Sequence, residues 1–143
     1  MSSDLPSPSS LWNVDQPVAS LATMQELLHD PRCHGEYRDL LTLKMVHALG
    51  YQHKITQAFE LLEPFEERLT TLSPRLVASY HLEKGRISNR ASYGSKEATE
   101  HLERALERSS RDQIDDLAIE ALLELADLSD GPESQQELLE RAE

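Results

Sequence analysis

The sequence is poor in aromatic residues, glycine and cysteine, and each shortage excludes a class of protein. Aromatic residues make up 5% of the 143 residues, so the core has to be built mainly from leucine and alanine. Five glycines leave little material for a β-sandwich rich in tight turns, and one cysteine excludes an internal disulfide framework. The remaining composition indicates a helical domain of ordinary size.

Long apolar runs are missing as well. No run approaches the roughly 18 residues that a membrane-spanning helix needs. The opening MSSDLPSPSS has neither the basic region nor the apolar region of a secretory signal. We therefore expect a cytoplasmic protein with no membrane partner.

The charge is mostly of one sign and is concentrated in the last third of the chain. The net charge is −12. Residues 97–143 hold fifteen acidic residues and four arginines, whereas residues 1–96 are close to neutral, with eleven acidic and ten basic residues. A nucleic-acid binder needs a basic stripe to neutralise phosphates, so we expect no direct nucleic-acid binding. The acidic third is either a set of solvated helix faces or a docking surface for a basic partner.

Apolar residues recur at helical spacing almost everywhere after Pro17, and no segment alternates with the period of a strand. The pattern predicts an all-α protein with a disordered Ser/Pro-rich arm at 1–14 and a single domain at 15–143. Gly50 is expected to cap the second helix, Pro64 to kink or split the third, and residues 88–95 to form a loop. The predicted helices run from Pro17 to about His29, Gly35 to Gly50, about Lys54 to Leu69, Ser73 to about Ile87, Ser95 past Leu106, Arg111 to about Ala126, and through Leu138 to the end.

An internal repeat organises these helices into pairs. The tetrapeptide that starts at Leu102, Leu-Glu-Arg-Ala, recurs unchanged 37 residues later at Leu139. Leu62 and Glu63 stand 40 residues before Leu102 and Glu103, which aligns Ala58 with Ala98. A small residue at this place lets the second helix of a pair lie close to the first. The spacing predicts about three helix pairs after an N-terminal helix.

The segment from Tyr93 to Glu107 resembles the turn and second helix of the tetratricopeptide repeat (TPR) family. Gly85 is similar to the small residue of the family's first helix, and Gly50 to its turn glycine. The resemblance covers about residues 35–143. It implies a TPR-like right-handed α-solenoid of about three helical hairpins plus an N-terminal helix. It also implies a groove, lined by the first helices, that binds a peptide or a partner domain.

The function expected from this resemblance is that of a non-enzymatic scaffold or adaptor that binds a protein or peptide partner. The alternative is an effector-sensing or dimerisation domain of a bacterial signalling or transcriptional regulator. The candidate partner-binding residues are the charged residues of the first helices and the basic run at 84–96: Arg38, Lys44, Arg75, Lys84, Arg86, Arg90, Asp116, Glu120 and Glu124.

Chemistry-bearing residues are sparse. His29, Cys33 and His34 are the one grouping of soft-metal ligands, but a zinc site wants a fourth. His81 and His101 fall on mostly apolar stripes and are expected to be packed neutral histidines. The sequence has no glycine-rich phosphate loop or nucleophile elbow, and the carboxylates lie on exposed helix faces. We therefore predict no catalytic, metal or cofactor site.

The C-terminal end leaves an apolar side uncovered. Repeat arrays bury the apolar face of each unit on the next unit and need a polar cap at the end. The seventh predicted helix carries Leu138, Leu139 and Ala142 on one side, and no helix follows it. We expect a longer protein or a homodimer in which these residues self-associate; the alternative is a monomer in which this side packs back on the sixth helix alone.

Overall fold

The computed structural model describes residues 5–128, and helices are the regular secondary structure within them. A short 3-10 helix at Pro8–Leu11 precedes six α-helices, and no strand occurs among these residues, which confirms the all-α prediction. The predicted seventh helix lies outside the described residues. The α-helices are α1 (Pro17–Leu27), α2 (Gly35–Tyr51), α3 (Ile55–Glu66), α4 (Pro74–Ala91), α5 (Lys96–Arg111) and α6 (Asp115–Leu128).

Serine caps begin α4 and α5 at the residues that the sequence predicts. The Ser73 hydroxyl accepts a hydrogen bond from the N–H of Leu76 at 3.3 Å, and the Ser95 hydroxyl accepts one from the N–H of Ala98 at 3.1 Å. Each bond satisfies one of the backbone donors that the first turn of a helix leaves without a partner. These two starts are therefore set by local chemistry.

Gly50 does not cap α2, and that prediction is wrong. The helix continues one residue further, and the chain leaves it through His53, whose φ is +59°. The N–H of Lys54 then donates to the carbonyl of Leu49 at 2.9 Å, a pattern typical of helix ends that use a left-handed residue. Gly50 is buried inside α2 against Ile87 of α4, where a Cβ would collide with that side chain.

Two predicted breaks, the loop from residue 88 and the split at Pro64, do not occur in the structure. α4 continues to Ala91, so the first half of the expected loop at 88–95 is helical. Ser88 is buried, and its packing outweighs the loop-like composition of the segment. Pro64 lies within α3 without splitting it, because it stands near the end of the helix and removes only the hydrogen bond to the carbonyl of Glu60.

The N-terminal arm, expected to be disordered over residues 1–14, makes defined contacts from Leu5 onward. The Tyr37 hydroxyl donates to the carbonyl of Pro6 at 2.6 Å. Trp12 packs edge-on against the rings of His47 and Tyr51 of α2, with centroids 5.0 and 5.4 Å away. The apolar residues scattered through this Ser/Pro-rich segment are what hold it against the helices.

The helix α4 is the centre of the fold. It packs against α2, α3, α5 and α6, and every residue from Leu76 to Glu83 is buried. The helices α2, α4 and α6 are successive neighbours, while α3 packs on α2 and α4, and α5 packs on α4 and α6. One apolar core runs from α1 to α4 and a second from α4 to α6.

A close approach between α4 and α5 depends on Gly85. A Cβ at this position would lie 2.7 Å from Cγ of Leu102 and 3.2 Å from the carbonyl oxygen of Ala98. Ala98 and Leu102 are fully buried, and so are Ala58 and Leu62, the residues aligned with them in the repeat. The small-residue contact expected from the repeat is therefore present between α4 and α5.

Candidate functional site

Seven of the nine predicted partner-binding residues gather on one surface, formed by α2, α4 and α6, which we call the three-helix face. Each of the seven lines one of two cavities on this face. The helical period of 3.6 residues brings the α4 members to the same side of that helix. The seven are Lys44 on α2, Arg75, Arg86 and Arg90 on α4, and Asp116, Glu120 and Glu124 on α6.

The other two predicted residues bond elsewhere. Arg38 Nη1 donates to the carbonyl of Leu28, just beyond the end of α1, at 3.0 Å. Lys84 Nζ donates to Glu66 Oε1 at 3.2 Å and lies 4.9 Å from the centre of the Phe59 ring. Both partners of Lys84 belong to α3, so this lysine faces away from the three-helix face.

Arg86 lies in the middle of the three-helix face and bonds three carboxylates. Its Nη1 donates to Glu83 Oε2 at 2.9 Å, its Nη2 to Glu120 Oε1 at 3.0 Å, and its Nε to Glu124 Oε1 at 2.9 Å. The side chain is 12% exposed. Arg86 thus links α4 to α6. The three carboxylates carry three negative charges against the single positive charge of Arg86.

Glu83 is the residue of this cluster that the sequence analysis missed. Its side chain is 5% exposed, and its Oε1 lies 3.3 Å from Nδ1 of His47. Burial alone would raise the pKa of Glu83, but the charge of Arg86, the contact with His47 and the charge of Lys44 outweigh burial and lower it to about 2. The one signal in the sequence was the spacing of three residues between Glu83 and Arg86, which places them on one side of a helix.

The first cavity, of about 200 Å³, lies between the N-terminal arm and the three helices. The Arg75 guanidinium donates to both carboxylate oxygens of Asp116 at 3.1 Å at its rim. Residues 7–9 of the arm form one wall. The cavity therefore combines a charged rim with an apolar lining, which comprises Leu40, Leu43, Leu82 and Leu117.

The second cavity, of about 430 Å³, lies on the other side of the Arg86 cluster, and His47, Arg90, Tyr93 and Asp127 help to line it. The Arg90 guanidinium lies 5.6 Å from the centre of the Tyr51 ring. The Tyr93 hydroxyl donates to the backbone carbonyl of Asp127 at 2.7 Å. Within the described part of the chain, neither the Arg90 guanidinium nor the Asp127 carboxylate makes an ion pair.

His81 and His101 form a stacked pair between α4 and α5. Their ring centroids are 5.2 Å apart, and their Nδ1 atoms lie 3.0 Å from each other. Burial is the largest cause that lowers the pKa of His81, to about 4, and it also lowers the pKa of His101. Both rings are therefore neutral at pH 7, as predicted for packed histidines.

The grouping of His29, Cys33 and His34 is spread over a turn. Cys33 is buried while both histidines are exposed. Between residues 5 and 128, no three side chains of His, Cys, Asp or Glu are grouped so that they could hold one metal ion.

The residues proposed for self-association, Leu138, Leu139 and Ala142, lie outside the described residues. The described part of the chain ends with α6, on which Ile119 and Leu123 are 55% and 54% exposed. They stand four residues apart and so form an apolar strip along one side of the helix. Within the described residues, no other helix covers this apolar strip of α6.

No helix in the described part of the chain is both long enough and apolar enough to cross a bilayer. Comparison with protein-family models, with curated proteins and with solved structures finds no match to this chain.

Proposed function

We propose that the chain is a TPR-like right-handed α-solenoid in which α2 and α3 form one hairpin, α4 and α5 the next, and α6 begins a third. The side-by-side order of α2, α4 and α6, with α3 and α5 each packed on two of them, supports this arrangement. The equal burial of Ala58 and Ala98 supports it further, because the same small residue stands at the same place in both hairpins.

The proposed function is non-enzymatic binding of an extended, basic segment of a partner protein along the three-helix face. The observation that carries the proposal is the arrangement of carboxylates on α6. Asp116, Glu120, Glu124 and Asp127 are spaced by three or four residues and all line the two cavities. Such spacing produces one stripe of negative charge along the helix.

The carboxylates of this stripe keep bonding capacity for a ligand. Glu120 and Glu124 each accept from Arg86 through Oε1, which leaves Oε2 of both groups for another donor. A lysine or arginine of the partner can therefore bind them without displacing Arg86. Arg86 in turn holds the two carboxylates in place, which lowers the entropy that binding would otherwise cost.

The first cavity offers a place for an apolar side chain of the same segment. Its four leucines lie beside Arg75 and Asp116 at the rim. Apolar anchors surrounded by charged contacts are a common composition of binding hot spots. The partner segment is thus expected to carry basic residues next to a leucine-sized one.

Selection from a displayed random-peptide library, followed by crosslinking, tests this function. The selected peptides should be rich in Lys and Arg, and their affinity should fall as salt rises from low to physiological concentration. A photoreactive residue at Arg90, which lines the second cavity, should crosslink to the peptide. The same residue at Glu60 on α3, a helix that contributes to neither cavity, should not.

Two substitutions that each remove one negative charge test whether peptide binding depends on the carboxylate stripe or only on the net charge of the protein. Glu120→Gln should weaken peptide binding, whereas Glu103→Gln, an exposed change on α5, should leave it unchanged. Binding that is insensitive to salt, or crosslinks that map to α3 rather than to the three-helix face, would rule out the proposed function.

A further inference from the structure

A third cavity lies on the opposite side of α4 from the Arg86 cluster. It is bounded by Val77 and His81 of α4 and by four residues of α5, with a volume of about 170 Å³. His81 and Glu83 are two residues apart, so their side chains leave the helix roughly 200° apart. The third cavity is therefore separate from the three-helix face, and a ligand bound in it is independent of the proposed function.

The third cavity is lined by all the arginines of a stretch that is otherwise strongly acidic. Residues 97–128 contain ten acidic residues and three arginines, and all three arginines line this cavity. They are Arg104, Arg108 and Arg111, which stand on one side of α5 at spacings of four and three residues. One carboxylate, that of Glu107, lines the cavity with them.

The arginines are only partly neutralised by their neighbours. Arg108 Nε donates to Asp112 Oδ2 at 2.9 Å. Arg104 and Arg111 make no ion pair within residues 5–128 and are exposed. The lining thus holds three positive charges against one negative charge and retains many N–H donors. A guanidinium group can donate two parallel hydrogen bonds to two oxygens of one phosphate group, and three such groups can together bind all of its oxygens.

His81 adds a ring donor to the cavity. Its Nδ1 is engaged with Nδ1 of His101 at 3.0 Å, so Nε2 is the ring nitrogen left for a ligand. When His101 donates the shared proton, neutral His81 carries its own proton on Nε2 and can donate it to an anion. His81 is buried, at 9% exposed, and its ring packs against those of Tyr80 and His101, which restrict its orientation.

We propose that the third cavity is a binding site for the phosphate group of a small molecule, held by Arg104, Arg108 and Arg111 and by the Nε2–H of His81. The cavity volume of about 170 Å³ is sufficient for a single tetrahedral anion. The site joins α4 to α5, so an occupied site also links the two helices of that hairpin.

Titration of the full chain with inorganic phosphate, followed by NMR and calorimetry, tests the site. We expect saturable binding, with shifts confined to α5 and the His81 ring, and no saturation with chloride at equal ionic strength. Phosphate should also raise the pH at which His81 titrates, because a bound anion favours the imidazolium. The charges that act on the His81–His101 pair without phosphate are those of Arg104, Arg108, Lys84, Glu97 and Glu100, and they remain in place when phosphate binds.

Arginine substitutions decide whether the site is specific. Arg104→Gln and Arg111→Gln are surface changes and should each weaken phosphate binding about tenfold or more, since each removes charge-assisted hydrogen bonds. Arg75→Gln, on the three-helix face, is the matched control and should bind as the wild type does. Failure of phosphate to saturate, or equal weakening by all three changes, would overturn the proposal.

Discussion

Arg86 Nη1 lies 2.9 Å from Glu83 Oε2 within α4, and both side chains are largely shielded from water. An ion pair in such a place is costly to form but more costly to break, because removal of one member leaves a buried charge without a partner. Arg86 also donates to two carboxylates of α6. Loss of this ion pair should therefore both destabilise α4 and release the carboxylate stripe on α6.

Replacement of Arg86 should therefore destabilise the fold more than loss of an exposed ion pair does. Arg86→Met is expected to lower the free energy of unfolding by about 3 to 5 kcal/mol at pH 7. Arg75→Met, which breaks the exposed pair with Asp116, should cost about 1 kcal/mol or less. Urea unfolding followed by circular dichroism measures both. Equal costs for the two variants would contradict a buried role for Arg86.

The same cluster predicts a dependence on pH. The pKa of Glu83 is lowered to about 2 from an ordinary value of 4.5, so its stabilising contribution is complete above pH 4.5 and is lost as the pH falls towards 2. In Arg86→Met the Glu83 carboxylate has lost its main partner, so protonation of Glu83 should remove the cost of a buried, unpaired negative charge. The gap in stability between wild type and variant should thus narrow from pH 7 to pH 4. A gap that stays constant would argue against ionised Glu83.

The histidine pair should make the protein less stable in mild acid. The pKa of His81 is lowered to about 4 from 6.5, so its contribution is complete above pH 6.5 and is lost as the pH falls to 4. Over this window the loss amounts to about 3 kcal/mol at most. His81→Leu should flatten the decline, whereas the exposed His29→Leu should follow the wild type. A decline that His81→Leu leaves unchanged would place its origin elsewhere.

The two buried helix glycines should differ in their tolerance of a methyl group. Gly85→Ala places a Cβ against Cγ of Leu102 and the backbone of Ala98, so α4 and α5 must move apart, at a cost of about 1 to 3 kcal/mol. Gly50→Ala meets the terminal methyl of Ile87 rather than backbone, so a change of the Ile87 rotamer can relieve the contact, and alanine favours the helix by about 1 kcal/mol. Thermal unfolding should show the larger loss for Gly85→Ala. The reverse order would mean that α4 and α5 tolerate separation.

Self-association is the remaining prediction for the C-terminal part of the chain. Light scattering should show a dimer that Leu139→Glu converts to a monomer. Leu123→Glu should do the same if the exposed strip on α6 belongs to the interface. Val18→Glu, at an exposed apolar residue of α1, should leave the dimer intact. A monomer mass for the wild type would end the idea.

The sequence by itself determined the helices and several of their ends. Serine caps, proline positions and apolar spacing act within one or two turns, so the starts of α4 and α5 followed from Ser73 and Ser95. The repeat also determined that Ala58 and Ala98 would be buried, since small residues recur where helices touch. Local signals failed at Gly50, because burial against Ile87 of another helix explains that glycine better than a turn does.

Only the tertiary structure decided which charged residues meet. From sequence alone, Arg75, Arg86, Glu120 and Glu124 were equivalent members of a partner-binding surface. In the structure Arg75 bonds Asp116, and Arg86 bonds Glu120 and Glu124, across 34 to 41 residues of sequence. Glu83 joins Arg86 as a buried partner. The partners of a side chain depend on how helices rotate and pack, and packing is decided by contacts between distant segments. Helical periodicity alone places a residue on a face of its helix but leaves open which helix that face meets.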